Sequence, residues 1–182
     1  MKKGFTLVEV LVSVAIFSII ISVITGIFVY IVRTQRNTFA KQELLNQTSY
    51  VLEYMSRALR MAKKDTNAIC ISAGLNYENP GGDVSRVKFI NETENDACQE
   101  FLFDEGDKQI KEIKNGGLSV PITSEKLQIS QLKFKLSGES ENDTFQPRVT
   151  IFLEVQVKGA GNQPKMQIQT SISQRNIDEK TF

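Results

Sequence analysis

The chain has 182 residues, 22 Lys plus Arg against 21 Asp plus Glu, two Cys, no His and no Trp, a length that suggests one modest domain. Without His it lacks the commonest general base and metal ligand, which disfavours Ser-His and Cys-His hydrolase chemistry and most metal sites. A net charge of +1 supplies no overall field toward nucleic acid, and no basic cluster is interleaved with aromatics, so no nucleic-acid partner is expected.

The mean hydropathy of -0.20 averages two unlike parts, because apolar residues crowd the first positions and the rest reads as an ordinary soluble chain. Val10 to Val32 carries no charge, and about 20 helical residues span a bilayer core. This stretch is read as a membrane-spanning helix. Lys2 and Lys3 precede it and Arg33 and Arg36 follow it, so flanking charge barely decides orientation. The short lysine-bearing end is taken as cytoplasmic, since the reverse would leave both cysteines in a reducing compartment. A cleaved secretory signal is the competing reading. It is disfavoured by the length of the apolar stretch, by the lack of an A-x-A-like site after it and by Glu9 inside the apolar run.

Glu9 is the most informative residue. A carboxylate facing lipid costs several kcal/mol and is kept where a cation partners it; at headgroup depth it could instead stay solvated. The segment Met1-Lys-Lys-Gly-Phe-Thr-Leu-Val-Glu-Val-Leu-Val-Ser13 resembles the class III signal of type IV pilins and of the pseudopilins of type II secretion. The resemblance implies that a prepilin peptidase cuts on the cytoplasmic side between Gly4 and Phe5 and methylates the new amino terminus at Phe5. It also implies that Glu9, fifth in the mature chain, meets the N-terminal amine of a neighbouring subunit and so carries filament assembly. Gly4 suits cleavage physically, because it leaves the backbone open to a protease.

The helix is expected to continue past the membrane, since no proline precedes Pro80. Leu44, Leu45, Val51, Leu52, Met55, Ala58, Leu59 and Ala62 form one apolar stripe. Lys41, Gln42, Glu43, Gln47, Glu53, Arg57 and Arg60 form a mostly solvated opposite face. The adjacent apolar pairs suit packing on a sheet better than a coiled-coil seam. Helix from Phe5 to Lys64 is expected. Gly26 interrupts its membrane half, where major pilins usually carry a proline; this departure leans toward a minor subunit. Glycine there also permits close packing with a neighbouring helix.

Beyond Lys64 short alternating runs stand between turn clusters. Strands are expected at Val84–Asn91, Cys98–Asp104, Gln109–Lys114, Lys126–Leu136, Arg148–Lys158 and Met166–Ser173, forming a small antiparallel sheet. Val149, Ile151, Leu153, Val155 and Val157 alternate with polar or aromatic neighbours, so one face can lie on the helix stripe. The class is α+β, a long N-terminal helix packed on a β-sheet head, similar to pilins. The expected division is a leader at 1–4, a transmembrane and filament-core half at 5–32, an amphipathic half at 33–64 and a globular head at 65–182.

Cys70 and Cys98 both lie on the exported side and are expected to form a disulfide, with two independent thiols as the alternative. Closing a loop of about 27 residues would stabilise by roughly 3 to 4 kcal/mol in the chain-entropy model. No metal or other cofactor is expected. Glu92, Glu94 and Asp96, like Glu139, Glu141 and Asp143, lack EF-hand spacing and read as solvated turns. Asn91-Glu-Thr93 and Asn142-Asp-Thr144 match the weak N-glycosylation pattern. No Walker loop or catalytic motif is present, so no enzymatic activity is expected.

The chain as a whole reads as a minor pilin or pseudopilin, assembled into a type IV pilus or type II secretion pseudopilus and assisting initiation near the tip. Asn46-Gln-Thr48, the strand from Arg148 and the tail Gln169-Thr-Ser-Ile-Ser-Gln-Arg-Asn176 resemble minor subunits of the J or W type. Implied partners are other pilin or pseudopilin subunits, the prepilin peptidase, inner-membrane assembly machinery and, before assembly, membrane lipid. The implied location is the inner membrane with the head exported, then a periplasmic or extracellular filament. The alternatives are a major pilin, and a pilus-borne adhesin or DNA-uptake module using the loops Ser72–Asp83 or Ser137–Gln146.

Overall fold

A computed structural model describes residue 4 and residues 6–138, 145–159 and 163–175. It forms two compact units, residues 1–42 and residues 43–182. One helix, α1 (Leu7–Arg60), runs from the first unit into the second.

In the first unit the described residues are almost entirely helix, and the large apolar side chains from Leu7 to Ile31 are exposed, Leu7 at 75% and Phe28 at 65%. This segment is long and apolar enough to cross a membrane. In the second unit α1 turns amphipathic. Leu44, Val51, Met55, Ala58 and Leu59 are buried as the spacing predicts, Leu52 is half-buried, and Leu45 is half-exposed. Thr48 completes the buried stripe at 1% exposure. Leu45 leaves the core because it stands one step around the helix from Leu44, while Thr48 falls one turn beyond Leu44 on the same face.

The helix stops at Arg60, four residues before the expected end at Lys64. Met61 N–H bonds to Ala58 C=O and tightens the last turn, and Arg57 and Arg60 place positive charge where the helix dipole favours it. Ala62 and Lys63 then become a strand, β1 (Ala62–Lys63), paired with Asn91 and Ile90. Tertiary pairing overrides a helical pattern there. Ala62 stays fully buried all the same.

The head contains two antiparallel sheets where one was expected. The first joins β1 to β2 (Arg86–Asn91), β3 (Ala97–Asp104), β4 (Gln109–Lys114) and β5 (Val120–Pro121) in chain order. The second is β6 (Leu127–Ser137), β7 (Arg148–Val157) and β8 (Lys165–Ser173). Single backbone bonds stitch them together: Phe134 N–H to Val84 C=O at 2.7 Å and Ile129 N–H to Lys108 C=O at 2.9 Å. The register of β6 on β7 shifts at Ser130, an extra residue between Ile129 and Gln131, whereas β8 pairs with β7 without interruption.

One core serves both sheets. Met55 and Leu59 of α1 cluster with Val87, Phe89, Phe101 and Ile110 of the first sheet and with Ile129, Leu132, Phe134, Ile151 and Val155 of the second. Of the alternating set on β7, Val149, Ile151, Leu153 and Val155 are buried and Val157 is partly so. Gly138 ends β6 with φ +68, and an added Cβ would come within 2.9 Å of the Gln146 carbonyl oxygen, so the backbone there requires glycine.

Candidate functional site

The first turn of α1 is built as a reciprocal cap. Thr6 stands just before Leu7, its N–H and hydroxyl both donate to Glu9 Oε2 at 2.8 Å, and Glu9 N–H returns a bond to Thr6 Oγ1 at 3.4 Å. This is the S/T-x-x-E capping box, which satisfies amide groups that an N-terminal turn leaves without helical partners. The Glu9 carboxylate also sits at the positive end of the helix dipole. The box uses Oε2, and no hydrogen bond to Oε1 is among those of the described residues. Thr6 is not among the residues the sequence reading singles out, although Thr6-Leu-Val-Glu9 carries the signal.

Beyond Glu9 the helix has no charged side chain until Arg33. Ser13, Ser18, Ser22 and Thr25 each donate to the carbonyl four residues back, at 2.7 to 2.9 Å, so their hydroxyls are satisfied within the helix and expose no free donor to an apolar surround. An added Cβ at Gly26 meets nothing within 4 Å, which leaves that backbone open to close approach by a neighbour. Gly4 is exposed. Phe5, Lys2 and Lys3 lie outside the described residues, as do Glu139, Glu141, Asp143 and the Asn142-Asp-Thr144 triplet.

In the head, Cys70 and Cys98 form a disulfide with Cα atoms 5.4 Å apart, which settles the choice between a bridge and two thiols. It ties the loop after β1 to the start of β3. That loop folds around Asp65, whose buried carboxylate accepts from Asn67 N–H at 3.1 Å, Cys70 N–H at 2.7 Å and Ile71 N–H at 3.0 Å. Burial by itself raises its pKa, but the backbone donors of Cys70, Ile71, Ile69 and Asn67 prevail and hold it below the ordinary carboxylate value.

A second polar chain crosses from α1 to the first sheet. Tyr54 OH donates to Glu112 Oε1 at 2.7 Å, the Gln99 amide donates to the same oxygen, and Asn91 Nδ2 donates to Gln99 Oε1 at 2.7 Å. Burial, then the bond to Glu112, raises the Tyr54 pKa. Asn91 is 3% exposed and its amide is engaged, so the Asn91-Glu-Thr93 match is not a glycan acceptor. Of the first acidic stretch, Glu94 pairs with Lys114 at 3.2 Å and Asp96 with Lys63 at 2.6 Å. These carboxylates are committed to lysines.

Residues 1–25 match the family model described as the prokaryotic N-terminal methylation motif. The chain is also similar to the pilin-like protein PilA3 of Thermus thermophilus, with 40% identity over 62 residues. Both matches support a likeness to the type IV pilin family. The matched part covers 34% of this chain and 27% of that relative, so the chain aligns with about a quarter of the relative's length. No solved structure gives a significant match to the chain. The pilin-like arrangement of the head is read from its architecture, one long apolar helix followed by antiparallel sheet.

Proposed function

We propose that this chain is a minor pilin or pseudopilin, a structural subunit of a type IV pilus or type II secretion pseudopilus that takes part in assembly near the tip. In this reading a prepilin peptidase removes residues 1–4, Phe5 becomes the methylated amino terminus, and residues 5–32 hold the subunit in the inner membrane with its head exported. The same apolar segment then packs among other subunits in the filament, handed over by the membrane assembly machinery.

The observation that carries the reading is Glu9, one carboxylate in the first turn of an otherwise uncharged, fully exposed apolar helix segment. In lipid or a filament core such a group needs a cation, and the amino terminus of a neighbouring mature subunit is one. The cap holds the side chain through Oε2 and leaves Oε1 outside the box for that amine. The lack of a proline where Gly26 stands supports a minor rather than a major subunit.

Intact mass and N-terminal peptide mapping, with and without a prepilin peptidase, test the reading. A chain beginning at N-methylated Phe5 only when the peptidase is present is expected; a chain still beginning at Met1 refutes processing. Glu9→Leu is expected to insert and be cut normally yet fail to enter filaments, and normal incorporation would remove Glu9 from the mechanism.

A further inference from the structure

The sheet edges of the head are managed unequally. At the ends of the first sheet, β1 and β5 are each two residues long, and β5 contains Pro121, so neither offers a template for another strand. At the end of the second sheet β8 pairs with β7 alone among the described residues, is nine residues long, and has no bulge and no proline. Its one charge, Lys165, stands at its first position. Of the devices that blunt an edge, β8 has no shortness, bulge, proline or inward-pointing charge, and its one edge lysine, Lys165, stands at the end of the strand, leaving the rest of the edge uncharged.

The core is also unfinished there. On β7 the inward side chains Val149, Ile151, Leu153 and Val155 are buried, whereas on β8 Met166 and Ile168 are only partly covered and Ile172 alone is buried. One more strand alongside β8 would cover them and satisfy the outward backbone groups.

A second copy is a poor occupant. Antiparallel pairing of β8 with itself places a twofold axis perpendicular to the sheet, and that axis reverses the direction of the helix segment packed beneath it. The two helices would then enter their heads from opposite sides, which one membrane or one filament does not allow. Of the other edges of a copy, β1 and β5 are too short to serve, and β6 is bulged at Ser130 and already donates from Ile129 and Phe134 to the carbonyls of Lys108 and Val84. The segment Pro164–Arg175 contains Lys165 and Arg175, both exposed, and no carboxylate. Neither cation has an ion pair among the described residues.

We infer that β8 is a strand-addition site that accepts an extended segment of a different subunit, with alternate apolar side chains on the inward face and acidic residues near its ends. This mode draws affinity from main-chain bonds and specificity from alternate side chains. It rests on the subunit reading above and adds to it a partner surface in the head.

The test is hydrogen exchange on the full-length protein, in neutral detergent and in filaments sheared from its host. Peptides covering 165–173 are expected to exchange at least tenfold more slowly in filaments, while those covering β5 do not change. Ile168→Lys, which supplies the missing inward charge, is expected to cut incorporation at least tenfold with unchanged processing. Lys165→Glu is expected to weaken incorporation and Lys165→Arg to preserve it. Equal exchange of 165–173 in both states overturns the inference. So does protection already present in detergent, which would assign the edge to residues 176–182 in a monomer or to a second copy in a dimer. Absence of the wild-type chain from filaments is a different result, and it refutes the subunit reading itself.

Discussion

Asp65→Asn isolates what one buried carboxylate contributes to the head. The substitution keeps the shape and removes the charge that accepts N–H bonds from Asn67, Cys70 and Ile71. It also turns one acceptor into a donor facing donors. Hydrogen bonds to a charged group are worth about 1.5 to 3 kcal/mol each, and the loop can relax enough to recover part of that, so a net loss of about 3 kcal/mol is expected at neutral pH. For a head of this size that lowers the unfolding midpoint by roughly 6 to 12 °C. The pH dependence has a definite sign. Because the folded pKa lies below the unfolded value of about 3.9, the stabilisation is fully present above that value and is lost as pH falls through the folded pKa. Thermal unfolding of the full chain in neutral detergent should therefore show wild type and variant separated at pH 7 and converging below about pH 4. Removing the bridge with Cys70→Ser and Cys98→Ser loosens the same loop. The combined loss should fall short of the sum of the separate losses by about 1 kcal/mol. A variant within about 0.5 kcal/mol of wild type at pH 7, below the cost of a typical lost bond, would refute the account of the loop.

Thr6→Val removes the cap while leaving Glu9 in place. A helix loss of about 1 kcal/mol is expected, seen as faster amide exchange confined to the first turn of α1, and exchange unchanged there would refute the cap. Tyr54→Phe deletes the bond between α1 and Glu112, whose carboxylate keeps the Gln99 amide. Denaturant titration should show a loss of about 1 to 2 kcal/mol, and an unchanged midpoint would mean that the bond contributes nothing net.

The elements with internal period were legible in the sequence. Gln109–Lys114 has the expected boundaries, four of the other expected strands differ by one or two residues at one end, and Lys126–Leu136 is shifted by one residue at both, because alternation over six or more residues is a strong local signal. The two-residue strands β1 and β5 carry no period, and they exist only because β2 and β4 offer partners. The division into two sheets was hidden for the same reason, since it depends on which strand β4 and β6 leave unpaired. The amino-terminal methylation motif was legible because it is contiguous in the chain, within residues 1–25, although Thr6, which forms the cap with Glu9, was not picked out. Asp65 was not, because its carboxylate has meaning only once the loop from Asn67 to Ile71 has closed around it. The pairing of Gln174 with Asn76 joins residues 98 positions apart, and no local pattern announces it.

Magnitudes divide the work between the apolar segment and its single charge. Each large apolar side chain moved out of water is worth about 1.5 to 3 kcal/mol when fully buried. Summed over the exposed set from Leu7 to Ile31, this is on the order of 20 kcal/mol or more. A carboxylate near the bilayer edge subtracts only a few kcal/mol. Insertion is therefore decided by the apolar residues, and Glu9 cannot prevent it. The difference between lipid and a filament core is another matter, because both bury the apolar set and that large contribution nearly cancels. If the proposed subunit reading holds, what sets the direction of transfer is the small contribution that differs, an unpaired carboxylate in lipid against one paired with an amine in a filament. On that reading, a residue that hardly affects insertion governs the later step, and the Glu9→Leu variant separates the two.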